Sequence, residues 1–486
     1  MRAGRERARR SVTRDPAGHA ENAPGIVPPP ADRVEHEAGR RDPLIVCCST
    51  QYWHEAWFRK QHFMARLSAR HPVLYVEPSF SILRGIPRRC PAGRANHPWR
   101  PTLHREGPKL WTLAPPRGLP LWTHPRVSRL QYGMWGRMLR RAAERLEEGT
   151  RAKTAGPRPV WLWLYNPLYV QARGTLRPER VIFDLVDDLE AYESRAHSRA
   201  TMRACVDAAL READLVFTTS SLLAEKHGAA TREGCMHVVP NGVRGEWIAR
   251  IPRIPEELHG RPRPWIGFLG AVFRYLDYDL LVAAARAYPG GTLVVVGPVE
   301  DPAGAARLAA EPNVALLGRC PQERVPDFVG AFDVCLSPFK AGAVRRAVNP
   351  LKVYEYLAAG RPVVSTPLES LAGEPVARWI RFAEGPDAFV RAIGEALAEE
   401  GLSPATSGRA AQTEGGAAGA QPGPGRSPLA GAQPEPIDSP RARSRRDAVR
   451  PYAWEALAER VEQVLAAAQE RWDAVPAASR TAGGRS

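Results

Sequence analysis

The segment NPLKVYEYLAAGRPVVSTP (349–367) sets two charged residues where a helix would begin. Asn349 suits a helix N-cap and Pro350 the first helical position, which puts Lys352 in the first turn. Free N–H groups and the positive helix end attract an anion there, and Lys352 adds a full charge. Glu355 follows three residues later on the same side. A carboxylate is a poor phosphate ligand but a good acceptor for paired sugar hydroxyls, so the two residues together suit phosphate plus ribose, a nucleotide. The same text also reads as a surface Lys352–Glu355 ion pair ahead of a plain C-cap at Gly360. The residues alone leave both readings open.

A second cluster is FDLVDDLEAY (183–192), where three carboxylates, Asp184, Asp187 and Asp188, crowd the end of an apolar run. Neighbouring acids raise one another's proton affinity, which suits a general base. Asp187 is the first choice for that role. Helix capping by Asp187 or Asp188 and a metal-binding DxD are the competing readings. The DxD reading is the weaker, because the pair is far in sequence from the nucleotide-like text. A third segment, STQYWHEAWFRKQH (49–62), follows an apolar run. Trp53 or Trp57 can stack on a sugar ring, while His54, Arg59 and Gln61 can hydrogen-bond one. Against this, Trp57, Phe58 and Phe63 also read as core, and His54 as a helix cap.

The elements that must carry these residues alternate. LIVCC (44–48), PVLYVEP (72–78), PVWLWLYNP (159–167), RVIFDLVDD (180–188), ADLVFTTS (213–220) and MHVVPNGV (236–243) read as strands. Helical text lies between several of them, notably Trp57–Ala69 and the Ala-rich stretch 197–212. A second series runs PWIGFLGAV (264–272), TLVVVGPV (292–299), NVALLGR (313–319), DVCLSPF (333–339), RPVVSTP (361–367) and WIRFAEG (379–385). This rhythm predicts an α/β fold of two doubly wound parallel sheets, with 251–264 as the hinge. The expected division is a disordered arm at 1–42, a first domain at 43–245 and a second at 246–400. A disordered insertion at 401–446, a helix at 447–475 that packs back on the body and a disordered tail at 476–486 complete it. Residues 126–146 read as an amphipathic helix with a strongly basic face, either core-packed or facing a membrane.

Four pieces in order resemble the GT-B glycosyltransferases of the group 1 (GT4-like) family. VVPNGV (238–243) is similar to the family's interdomain crossing, and IGFLGAVFRYLDYDLL (266–281) to the first strand and loop of its nucleotide domain. NVALLGRCPQERVPDFVGAFDVCLSPF (313–339) is similar to its base-binding region, and NPLKVYEYLAAGRPVVST to its nucleotide segment. The likeness is good over about 240–400 and loose over 43–240. It implies two Rossmann-like domains facing across a cleft and transfer of a sugar from a nucleotide-diphospho-sugar to a hydroxyl. By position, Gly270 and its loop would approach the diphosphate, with Arg274 adding charge. Leu351 N–H, Lys352 and the Asn349 helix start would hold the diphosphate, Glu355 the ribose, and Gly318–Arg319–Cys320 would border the base. Asp277 reads better as a helix cap. The 49–62 segment resembles the opening of bacterial polysaccharide and teichuronic-acid-type glycosyltransferases, and implies acceptor contacts by Trp53, His54, Trp57, Arg59 and Gln61. The placement of an acid in the first domain matches the base of inverting GT-B enzymes. One position departs: the family often carries a glutamate eight residues before Glu355, and Ala347 stands there.

Composition limits the alternatives. With 486 residues, 44% hydrophobic and 25% charged, the chain is neither wholly disordered nor collagen-like nor a coiled-coil rod. No apolar run approaches membrane-spanning length, and the first forty residues lack the apolar core of a secretory signal. Seven scattered cysteines without a CxxC pair fit a reducing cytoplasm and neither a disulfide framework nor a structural zinc site. HExxH, P-loop and GxSxG motifs are absent. The +16 net charge is uneven: residues 43–150 hold eighteen Lys/Arg against six Asp/Glu, whereas 151–240 hold twelve against eleven. A basic first domain fits docking to an anionic inner membrane face, where lipid-linked acceptors lie, and the basic residues lack the aromatic spacing of nucleic-acid modules. The expectation is a cytoplasmic enzyme, peripheral on the membrane, of cell-surface polysaccharide biosynthesis. It needs no metal or cofactor beyond its donor. A sugar-nucleotide epimerase or phosphorylase on the same fold, and a non-catalytic nucleotide-sugar or polysaccharide-binding protein, are the rivals.

Overall fold

The computed structural model describes residues 42–83, 97, 99–120, 123–148, 158–193, 196–248, 250–402 and 439–474. All fall in the compact unit Glu37–Ser486. Residues 1–41 of the expected arm, 403–438 of the expected insertion and the tail at 476–486 lie outside the described residues.

The apolar runs become two sheets. The first comprises β1 (Leu44–Cys48), β2 (Val73–Val76), β3 (Thr102–Gly107), β4 (Leu110–Ala114), β5 (Val160–Leu164), β6 (Arg180–Leu185), β7 (Leu215–Thr218) and β8 (Met236–Val238). Their spatial order is β3-β4-β2-β1-β5-β6-β7-β8. Every pair is parallel except the β3–β4 hairpin. The second sheet is wholly parallel, in the order β11-β10-β9-β12-β13-β14. Its strands are β9 (Trp265–Leu269), β10 (Thr292–Val296), β11 (Val314–Gly318), β12 (Val334–Ser337), β13 (Val363–Ser365) and β14 (Ile380–Phe382). All twelve expected strands are present. The β3–β4 hairpin is the addition, and its edge strand β3 is only partly buried, which is why its text lacks a continuous apolar run.

Strands buried on both faces need apolar side chains at every position. In β1, Leu44, Val46 and Cys48 enter one core, while Ile45 and Cys47 enter the core on the opposite face. In β9, Ile266 and Phe268 face one core, and Trp265 and Leu269 the other. Each sheet reverses its winding once, at β1 between β2 and β5 and at β9 between β10 and β12. In open α/β sheets the crevice beyond the strand ends at such a reversal is where ligands bind. The loops after β1 and β6, and those after β9 and β12, open there.

The end of the chain returns to the first sheet. Helix Pro440–Val449 starts inside the segment expected to be disordered, a correction to that boundary. Ser439 Oγ caps it by accepting from Ala442 N. Its arginines bury polar groups instead of apolar ones: Arg445 pairs with Glu400 at 2.6 Å and donates to Gly360 O at 3.0 Å. A composition rich in Arg and Ser gives no apolar signal for such a helix. The following helix, Trp454–Ala474, packs Trp454, Leu457, Val461 and Leu465 into the first-sheet core. Trp454 stacks on His62 at 4.8 Å and meets Phe63 edge-on. Among the described residues no helix is long and apolar enough to cross a membrane.

Trp454 is fully buried, so Trp454→Ala should cost about 3–5 kcal/mol in urea unfolding. A loss below ~1 kcal/mol would mean that the returning helix does not hold the first sheet.

Candidate active site

The loop after β9 turns at Gly270, whose φ of +136° is a region that L side chains rarely adopt. A Cβ there would lie 2.9 Å from Lys352 Nζ. Gly297 at φ +150° lets the β10 end approach, since its Cβ would overlap Gly270 O at 1.9 Å. Asp277 caps the next helix, accepting from Asp279 N and Leu280 N. Helix Leu351–Ala358 begins one residue later than expected. Pro350 holds the cap position, and Gly360 takes φ +74° beyond its C-terminus. The first amides of a helix have no partner within it and point at whatever lies before them.

Lys352 Nζ sits 4.1 Å over the Phe268 ring and 5.3 Å from that of Phe339. Burial pulls its pKa down to about 7, opposed by Glu355. Burial pushes Glu355 up to about 7, opposed by Lys352 and Arg244. The two form no ion pair among the described residues, so the surface-pair reading fails. Glu355 lines a recess with Trp247, Arg250, Val325 and Pro326. Arg319 is exposed beyond β11. Arg274 is exposed, but its guanidinium donates to Tyr192 O at 3.2 Å and lies over the Tyr275 ring, so it spans the two lobes.

Asn349 is corrected from ligand to clasp. It is buried, its Nδ2 donates to Thr219 O at 3.0 Å, and its own carbonyl accepts from Asn241 Nδ2 at 2.7 Å. Thr219 Oγ1 donates in turn to Val186 O at 2.8 Å. Leu351 packs with Val186 against the first-lobe core. The start of the Lys352 helix is therefore tied to the β6 loop, one residue from Asp187. At the other side of the gap, Gln322 grips the Trp57 backbone with both ends of its amide, at 2.9 and 3.1 Å.

The three β6 carboxylates separate by role. Asp184 is buried and receives Arg59 Nε at 3.0 Å on each oxygen. Asp188 is paired with Lys226 at 2.7 Å. Asp187 has no hydrogen bond or ion pair among the described residues. Burial pushes its pKa up to about 7, opposed by Lys60 and reinforced by Asp188. Lys60 itself is buried, reaches Gln51 Oε1 at 3.3 Å and has its pKa lowered by burial. No motif marks Lys60 in the sequence. Its signal was a lysine on the apolar stripe Phe63–Met64–Leu67.

The acceptor-loop expectations divide. Arg59 is structural: besides Asp184 it donates to Val239 O and Pro240 O, at 2.7 and 2.9 Å. Gln61 is structural too, closing the helix start with Phe58 N and donating to Tyr52 O. Trp53 is buried against Trp57 and Tyr75, with its N–H on Glu77. Trp57 is buried at the lobe junction, under Arg244. A planar ring or guanidinium already covered by protein has no face left for a sugar. His54 alone stays exposed, 3.0 Å from Glu106. Ala347 is buried, so the family's earlier glutamate has no local substitute at that position. Among the described residues no three of His, Cys, Asp and Glu come together as a metal-ligand group.

Residues 263–399 match the family model described as Glycosyl transferases group 1. A putative teichuronic acid biosynthesis glycosyltransferase, TuaH of Bacillus subtilis (strain 168), is 29% identical over 271 residues, which is 53% of this chain and 68% of that protein. Sucrose-phosphate synthase of Thermosynechococcus elongatus superposes with a TM-score of 0.57 at 15% identity, covering 90% of this chain and all of that one. HepE of Anabaena, solved in complex with UDP-glucose, gives 0.54 at 12% identity, over 87% of this chain and 99% of that one. The fold is that of the GT-B glycosyltransferases. The family match and the curated relative support a glycosyltransferase enzyme.

The split among the carboxylates gives opposite expectations. Asp184→Asn leaves the Arg59 charge buried and should cost about 3–5 kcal/mol. Asp187→Asn should not lower the melting temperature at pH 8. Burial raises the pKa of its carboxyl in the folded protein to about 7, so its ionised form opposes folding as the pH rises above the ordinary carboxylate range. Thermal melts of both variants check the pair, and a destabilised Asp187→Asn would make that residue structural.

Proposed function

We propose that the chain transfers a glycosyl group from a nucleotide-diphospho-sugar to a hydroxyl of a carbohydrate or lipid-linked carbohydrate, in cell-surface polysaccharide biosynthesis. One observation carries the reading: the start of the Lys352 helix and the Asp187 loop are tied to one another through Asn349 and Thr219. In this reading the diphosphate lies against the Gly270 loop, the first amides of the helix and Lys352. The ribose hydroxyls donate to Glu355, and the base borders Arg319. Asp187 accepts the proton of the acceptor hydroxyl as its oxygen bonds to the sugar carbon. The bond from that carbon to the diphosphate breaks, and the leaving charge falls on Lys352 and the helix end, where fixed charge is most effective. Arg274 stabilises the closed pair of lobes, and His54 is the exposed polar group of the 49–62 loop that can meet the acceptor. No cofactor is called for, and turnover should survive EDTA.

The teichuronic acid relative supports a surface-polysaccharide acceptor. The UDP-glucose complex of HepE makes UDP-sugars the first donors to try. The basic first lobe suits a cytoplasmic enzyme that works peripherally at the inner membrane face.

Thermal shift against a panel of nucleotide-sugars should single out a donor, because a ligand that binds only the folded state raises its melting temperature. Asp187→Asn should keep that shift and lower turnover by roughly a hundredfold or more. Wild-type turnover in Asp187→Asn would remove it as the base. An absence of transfer or hydrolysis with every donor that binds would favour a binding protein.

The pH dependence follows from two groups with opposite signs. Lys352 carries its charge below about 7, and Glu355 is ionised above about 7. Donor affinity should therefore peak near neutrality. Lys352→Arg, which keeps its charge at high pH, should flatten the alkaline limb. Calorimetric titration across pH 5.5–9 would show this, and an affinity independent of pH on both sides would contradict the assignment.

A further inference from the structure

Helix Pro125–Glu148 is amphipathic toward the protein and again toward solvent. Its inner face buries Ser128, Tyr132, Trp135 and Leu139. Its outer face carries Arg126, Leu130, Met134, Arg137 and Arg141, which helical spacing aligns in a single stripe. Leu130 is 59% and Met134 44% exposed, side by side one turn apart. Arg126, Arg129, Arg137 and Arg141 are exposed, and none is in an ion pair among the described residues. Residues 125–143 contain five arginines and no acid.

Loops packed beside the helix carry further exposed apolar side chains. Gln131 Oε1 accepts from Leu119 N at 2.5 Å. The neighbouring Gly118 exchanges backbone bonds with Phe80 and Ile82, and Arg117 N donates to His97 O at 3.2 Å. Leu83, 77% exposed, and Trp99, 73% exposed, stand on these loops. Large apolar side chains and arginines without ion pairs among the described residues thus share one corner of the first lobe.

We propose that this corner is the face by which the enzyme lies on an anionic bilayer, with the Pro125–Glu148 helix in the interfacial plane. The chemistry selects the partner. A nucleic acid or other polyanion would satisfy the arginines but leave Leu130, Met134 and Trp99 in water. A bilayer accepts both, with lipid phosphates on the guanidinium groups and the apolar side chains at the headgroup–acyl boundary. The proposal rests on the membrane reading above and names its surface. Vesicle binding requires neither donor nor turnover, so it stands or falls apart from the transfer chemistry.

The test is flotation of the full chain with phosphatidylcholine vesicles, with and without phosphatidylglycerol, at moderate salt. Wild type should bind the phosphatidylglycerol vesicles preferentially and release at high salt. Arg129→Gln/Arg137→Gln should weaken binding by roughly twenty-five-fold, about fivefold per arginine. Leu130→Ser/Met134→Ser should weaken it by roughly tenfold. Both variants should keep the wild-type melting temperature and nucleotide-induced shift, since the altered side chains are exposed. Equal binding to both vesicle types would overturn the proposal. So would a Leu130→Ser/Met134→Ser protein that binds like wild type while only the arginine variant fails, which would mark a polyanion surface instead.

Discussion

Two amide side chains at the lobe junction set the geometry on which the site depends. Asn241 holds the carbonyl of Asn349, and Asn349 holds the carbonyl of Thr219, both in a buried setting. A buried amide N–H without an acceptor is costly, and one that meets a backbone carbonyl fixes the two segments against each other. These bonds seat the first turn of the Leu351–Ala358 helix against the strand-end loops of the first sheet. They keep Lys352, on the second lobe, in register with Asp187, on the first. The Gln322 grip on Trp57 and the Arg274 reach to Tyr192 brace the same gap elsewhere.

The site is also defined by charges kept from water. Lys352, Glu355 and Asp187 are each displaced toward neutrality by burial, from opposite directions, and none is neutralised by a direct ion pair. Their nearest equivalents in the same loops show the contrast. Asp184 is fully engaged by Arg59, and Asp188 by Lys226. Poorly solvated and unpaired titratable groups facing a cleft are costly in an empty protein and useful when a ligand supplies the missing partner. In the proposed reaction the phosphate, the ribose hydroxyls and the acceptor proton would be partners of the right sign for the three in turn.

Stability and function draw on different parts of the same short segments. In 49–62, Arg59, Gln61 and Trp53 hold the first lobe together, whereas His54 faces solvent. In 183–192 the strand gives Asp184 to the core and the turn leaves Asp187 open. The returning helix at Trp454–Ala474 closes the first lobe, while Arg445, just before it, meets the carbonyl end of the Lys352 helix at Gly360. The end of the chain thus supports both lobes.

The sequence by itself determined twelve of the fourteen described strands, because strands buried on both faces must be apolar throughout and are legible one by one; the β3–β4 hairpin was not among them. It also placed Lys352 and Glu355 in the first turns of one helix, because that spacing and helix-start context are local. It marked the acid cluster at 184–188 but not its division of labour. Which of three adjacent carboxylates stays unpaired depends on Arg59 and Lys226, which lie 125 and 38 residues away from their partners. Asn349 read as a cap because a local rule fits it; its partners Thr219 and Asn241 are more than a hundred residues distant. The aromatic and polar residues of 49–62 suited a sugar as well as a core, since both offer apolar faces and hydrogen bonds. Only the packing against Tyr75, Glu77 and Asp184 decided between them. Local periodicity fixes what a segment becomes, whereas the satisfaction of buried polar groups is settled by residues far along the chain, and that part had to come from the tertiary structure.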